Sequence, residues 1–219
     1  MTDFSVWRRR GLWATSIVTV GLALTTTTPS HALDSWTGAT STNWFAAGNW
    51  TAGVPTVAVD ATIPTSPSGS RFPAITAGTG NVRNLNLNSG ATLTHTGGTL
   101  NIAANLTNNG IFQPTGGTVA LGSTTQASIL GSSNTRFSNL MVGASGAQSS
   151  TSASTSVQRL FTLNGNFATN GNPLTLESNA ATTALVVNNG SNAIVGTATV
   201  QRYIVPDLNP NLGQNRSGC

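Results

Sequence analysis

Trp36, Trp44 and Trp50 stand close together in "WTGATSTNWFAAGNWTAGVP" (36–55), a stretch otherwise made of small and polar side chains. An indole face offers apolar area and a polarisable surface to a pyranose ring, so these residues could make a row of glycan contacts. They could equally form a structural cap, because the open end of a stacked β-structure exposes inner-face side chains and unpaired backbone edges that need a cover. Their position directly ahead of the first strands favours the cap.

Other residue types with chemical potential are sparse. Asp34, Asp60, Glu177 and Asp207 are scattered and give no local carboxylate pair for glycoside hydrolysis; Asp60 in "AVDATIP" reads as a turn or edge residue. His95 in "LTHTG" has neither companion ligands for a metal nor a convergent acid and nucleophile, and is expected to face solvent from a strand. Arg83 and Arg136 are candidates for contact with an anionic glycan, and read foremost as solvated surface arginines. Arg202 and Tyr203 read as packing and edge residues. The chain contains no lysine, so no lysine base is available. Its single cysteine, Cys219, allows no internal disulfide and no thiolate cluster. No calcium-loop pattern occurs. The expected sets of catalytic, cofactor-binding and metal-binding residues are therefore empty, and no cofactor is expected.

The formal charge of +4 is concentrated at the start, where Arg8, Arg9 and Arg10 precede an apolar run from Leu12 to Leu24 and a polar stretch ending "PSHA". That layout is a secretory signal peptide over residues 1–32, with cleavage after Ala32. A retained transmembrane anchor is the weaker reading, since it needs about 20 predominantly apolar residues. From Leu33 onward six arginines face four acids, a formal charge of +2. So low a charge, without clustering, excludes a nucleic-acid footprint. The mature chain is expected to have no membrane span and to be secreted, extracellular or at the cell surface.

From Val82 the sequence breaks into short apolar alternations such as "LNLNSG" (85–90), "TLNIAANL" (99–106), "TVALGS" (118–123), "LFTLNGN" (160–166) and "ATVQRYIV" (198–205), separated by Gly, Asn, Ser and Thr. Period-two alternation of this kind sends one side-chain set inward and the other outward, as in half-buried strands. "SGATLTHTGGTLNI" (89–102) and "NNGIFQPTGGTVAL" (108–121) align on "TGGT", 19 residues apart. Repetition with loops of variable length predicts stacked coils, in which each rung buries its inner face only against its neighbours. Asn and Gly suit the corners, and stacked Asn side chains are expected to form ladders.

The fold expectation is all-β, a single-stranded β-solenoid of the parallel β-helix kind, with a β-sandwich as the alternative. The expected divisions are the signal peptide at 1–32, a Trp-rich N-terminal cap segment at 33–80 and solenoid repeats at 81–147. A Ser/Thr-rich loop or link follows at 148–156, then further repeats at 157–205 and an irregular tail at 206–219.

"WTGATSTNWFAAGNWTAGVPTVAVDATIP" (36–64) resembles the opening segment of bacterial β-helical passenger proteins of the autotransporter type. "NVRNLNLNSGATLTHTGGTLNIAANLTNNGIF" (81–112), "VQRLFTLNGNF" (157–167) and "GTATVQRYI" (196–204) are similar to large surface proteins of Bacteroidetes exported by the type IX system. The resemblance implies a β-helical fold and a location outside the cell. Such relatives continue past "VQRYI" into further modules, which raises an N-terminal fragment of a longer protein as one reading.

The expected role is a secreted or cell-surface structural or adhesion-type protein, not an enzyme, with glycans or other surface proteins as partners. Low charge and Thr/Asn-rich faces suit weak multivalent contacts. Alternatives are an extracellular polysaccharide-binding module, a part of a polysaccharide-acting enzyme, and a truncated, non-functional fragment.

Overall fold

Leu85 and Leu87 point inward and Asn86 outward, Leu100 and Ile102 inward and Asn101 outward: the alternation legible in the sequence is the alternation of buried and half-buried positions in short strands. The computed structural model describes residues 31–122, 126–143 and 148–201, with only the backbone at 148 and 149. Nearly all of the expected signal peptide at 1–32, the expected tail at 206–219, Arg202, Tyr203, Asp207 and Cys219 lie outside the described residues.

The strands stack as a β-solenoid of about six turns, with almost no helix. One side of each coil is an eight-stranded sheet formed by Leu33–Ser35, Asp60–Ile63, Leu85–Leu87, Leu106–Asn108, Ser128–Leu130, Gln148–Thr151, Asn166–Ala168 and Ile194–Val195. A second side begins with Thr79–Val82, Thr99–Ile102 and Thr118–Leu121, and a third with Ala74–Ile75, Thr92–His95 and Ile111–Pro114. Every pairing between these strands is parallel. A sandwich of antiparallel layers is thereby ruled out for the described residues.

Register builds the core. Leu100, Val119, Leu140 and Phe161 form one inward column, and Ile102, Leu121, Val142 and Leu163 another. Adjacent members sit one strand spacing apart, about 4.8 Å. All eight are buried, each contributing about 1.5–3 kcal/mol relative to exposure. The two "TGGT" copies are successive coils of the same corner: Thr118 pairs with Thr99, and Thr118 N donates to Gly98 O at 2.9 Å.

Asn ladders also form. Asn101 Nδ2 donates to Asn81 Oδ1 at 2.9 Å on the outer face, while at a corner Asn105 N donates to Asn84 Oδ1 and Ser128 N to Asn105 Oδ1, both at 2.9 Å. At that corner the Asn84 and Asn105 side chains each satisfy a backbone donor of the next coil that the bend would leave orphaned.

Higher in the stack the third and second sides merge. Thr135–Val142 and Thr155–Leu163 are long strands running across both, joined by a register shift between Phe137 and Asn139. Phe137 packs on Phe112 of the coil below, ring centroids 5.5 Å apart.

Two expected boundaries differ from what is found. Residues 148–156 are not a link: Gln148–Thr151 is a strand of the first side, and Thr155 opens the next strand. Ser152 and Ser154 are exposed, but Thr151 and Thr155 are buried and share a hydrogen bond of 3.0 Å, so these two hydroxyls satisfy each other inside the corner. Coiling also begins before residue 81, since Asp60–Ile63 and Ala74–Ile75 already pair with the coil above.

Candidate functional site

The tryptophans occupy the N-terminal end of the stack. Trp36 and Trp44 are buried and Trp50 nearly so, at 1%, 0% and 5% exposure. Trp50 meets both partners edge-on, with centroids 5.0 Å from Trp36 and 4.8 Å from Trp44. Trp36 Nε1 donates to Arg71 O at 2.6 Å and Trp50 Nε1 to Trp44 O at 2.8 Å.

Gly80 heads the inward column of the second side, paired with Leu100, and a Cβ there would lie 3.1 Å from Trp44 Nε1. Trp44 therefore fills the position beneath Gly80 that a preceding coil would fill. Asn43 bridges Ala74 in parallel, extending the third side by one partial layer. In this packing almost no indole surface is open for a sugar ring.

One polar residue organises the segment. Asn49 Oδ1 accepts from Thr40 N, Thr40 Oγ1 and Ser41 N at 2.7–2.9 Å, while its Nδ2 donates to Ser41 Oγ and Asn43 O at 2.9 Å. Asn49 is wholly buried, and these bonds hold the loop that carries Trp44 and Trp50.

His95 lies inside, not on the surface. It shares parity with Leu93 on the inner face of Thr92–His95 and is stacked between Ile75 and Pro114. The polarity of imidazole points to solvent, but the phase of position 95 in the alternation points inward, and phase decides. Its ring lies 6.1 Å from that of Phe112, its Nε2 has no normal hydrogen-bond partner, and burial lowers its pKa below the usual 6.5. The backbone of Gly97 and Gly98 offsets part of that shift. A neutral, enclosed imidazole of this kind is a packing group.

Asp60 opens a strand paired on both sides, and Arg83 is ion-paired with it. Asn84 joins them through Nδ2 to Asp60 Oδ1 at 2.9 Å. Arg136 likewise is bound rather than free: Nε and Nη2 both donate to Glu177 Oε2, at 2.7 and 2.5 Å. Neither pair leaves its guanidinium as an open anion site.

Arg159, which sequence reading passed over, is the open one. By strict alternation it would share the inner face with Val157 and Phe161. Val157 pairs with Phe137 and Leu160 with Asn139, so Gln158 and Arg159 together oppose the single residue Ser138. This bulge turns Arg159 outward, where it is exposed and makes no hydrogen bond or ion pair among the described residues. A positively charged residue at an inward parity position is the sequence signal for such a break.

Two adjoining hollows of about 360 and 350 Å³ flank it, sharing Arg159, Ala181 and Thr182 as their common wall. Leu160 and Leu185 line one; Arg136, Ser138, Gln158 and Asn179 line the other. The result is a lateral groove between the bulge and the 178–184 loop. Its lining carries two arginines amid hydroxyl and amide groups, and one of them, Arg136, is bonded to Glu177.

No protein-family profile, no curated protein and no solved structure matches the chain. Among the described residues no group of three or more His, Cys, Asp or Glu is placed to hold a metal ion, and no helix is long and apolar enough to cross a membrane.

Proposed function

We propose that the chain is a secreted or cell-surface β-repeat protein with a structural and adhesive role, in which the coils form a stiff support and their outer faces make the contacts. The observation that carries this reading is the division of labour across each strand. Inward positions are filled by packed aliphatic and aromatic side chains, while the outward columns, such as Thr79, Thr99, Thr118 and Asn139 or Asn81 and Asn101, present short neutral hydroxyl and amide groups. A regular lattice of weak hydrogen-bonding groups suits repeated low-affinity contacts. The signal-peptide layout ahead of Ala32 and the resemblance to bacterial surface proteins support the location.

Cell fractionation combined with mass determination of the N-terminus tests it. An extracellular or surface-accessible chain beginning at Leu33 is expected; a cytoplasmic chain still carrying residues 1–32 would overturn the reading.

A further inference from the structure

We propose that the lateral groove beside Arg159 binds a carboxylate-bearing saccharide chain, a uronate glycan, with Arg159 as its anchor. The inference rests on the extracellular, adhesive reading and names the partner class of this groove.

Charge is the first argument. Glu177 already engages Arg136 through both Nε and Nη2, and Arg159 remains without a partner among the described residues, so one guanidinium in the groove is free to receive an anion. A planar guanidinium matches a planar carboxylate through paired N–H donors. The neighbouring Glu177 disfavours more densely charged anions, since only one positive charge is in excess.

The shape and lining give the second. Two hollows meeting at Arg159 make an open path rather than a closed pocket, suited to a chain that continues past its anchor. Ser138, Gln158, Asn179 and Thr182 offer donors and acceptors for sugar hydroxyls. Thr182 Oγ1 is buried without a hydrogen-bond partner. Leu160 and Leu185, the latter 57% exposed, provide an aliphatic wall for the C–H face of a sugar ring.

The third argument excludes the commonest peptide mode. An acidic peptide would gain most by adding as a strand to a free edge, but Thr155–Leu163, the strand that carries Arg159, is paired on either side except at Gln158 and Arg159, an opening of two residues that is too short to take a strand. Recognition has to pass through side chains, which here are those that suit a sugar.

Calorimetric titration of the purified exported chain with a galacturonate trimer tests the proposal, beside the neutral galactose trimer and a polyglutamate peptide. Binding of the uronate is expected to weaken at least about tenfold in Arg159→Gln and as salt is raised, with the neutral sugar and the peptide also at least about tenfold weaker. Arg159 is exposed, so the variant should melt within about 2 °C of the parent. Absence of uronate binding, undiminished binding by Arg159→Gln, or equal binding of polyglutamate overturns the site. Because location is read separately from the N-terminus, failed binding by a correctly exported chain sinks the groove assignment alone.

Discussion

Trp50 gives its indole N–H to the carbonyl of Trp44 at 2.8 Å and meets the Trp44 ring edge-on at 4.8 Å, so a hydrogen bond and an aromatic contact join the same two residues. The pairing locks Trp44 beneath Gly80, at the foot of the column that rises through Leu100. Trp44→Ala opens a cavity at the base of that column and is expected to cost about 3–5 kcal/mol. Trp50→Phe keeps a ring but leaves the buried Trp44 carbonyl unpaired, at about 1–3 kcal/mol. Urea unfolding followed by far-UV circular dichroism measures both; unchanged midpoints would mean that the indoles do not hold the end of the stack.

Asn49 satisfies three donors through one oxygen and gives both its amide protons to Ser41 and Asn43. Asn49→Asp keeps the acceptor, removes both donated bonds and buries a charge, so a loss of at least about 2 kcal/mol is expected in urea unfolding at neutral pH. As acid protonates that aspartate, the deficit should shrink. A deficit that grows as pH falls would contradict the packing described.

Two glycines separate the cost of backbone angle from that of close approach. Gly53 has φ +100° with open space around it, whereas Gly98 has φ +71° and an added Cβ would lie 2.3 Å from Gly78 O of the coil below. Gly53→Ala is expected to cost about 1–2 kcal/mol from the left-handed angle alone. Gly98→Ala adds a collision with immovable backbone and should cost more, at least about 2–3 kcal/mol. Equal losses at the two sites in thermal melts would refute coil-on-coil contact at that corner.

His95 gives the chain an acid sensitivity of definite sign. Burial lowers its pKa, so below the unfolded value near 6.5 the unfolded chain takes up a proton that the folded chain does not. Stability from this group is full above that pH and declines as pH falls through it. His95→Leu should flatten the stability profile between about pH 6.5 and 5, before the carboxylates titrate. A variant whose profile tracks the parent across that window would show that His95 is not enclosed.

The strand pattern and the coil repeat were legible because each side chain of a half-buried strand declares its face by parity; Leu85, Leu87, Leu100 and Ile102 lie inward as alternation requires. At His95 side-chain polarity and strand phase point opposite ways, and phase places the ring inside. Residues 148–156 show the same conflict, since Ser and Thr look like linker, yet Thr151 and Thr155 bond to each other inside the corner. Arg159 is turned outward by a bulge, which depends on how two strands meet; its one trace in the sequence is a charge at an inward parity position.

Coil stacking itself is tested most directly by dipolar electron paramagnetic resonance between spin-labelled cysteines placed in one outward column, with Cys219 replaced by Ser. Continuous-wave line broadening reads the adjacent pair, and double electron–electron resonance reads the wider pairs. Asn81, Asn101, Met141 and Thr162 occupy successive levels of that column, with Ala120 between Asn101 and Met141. At about 4.8 Å per level, the backbone separation from Asn81 should rise to about 14 Å at Met141 and about 19 Å at Thr162, with label distances increasing in the same order. Distances that fail to increase from Asn101 to Met141 to Thr162 would contradict the solenoid.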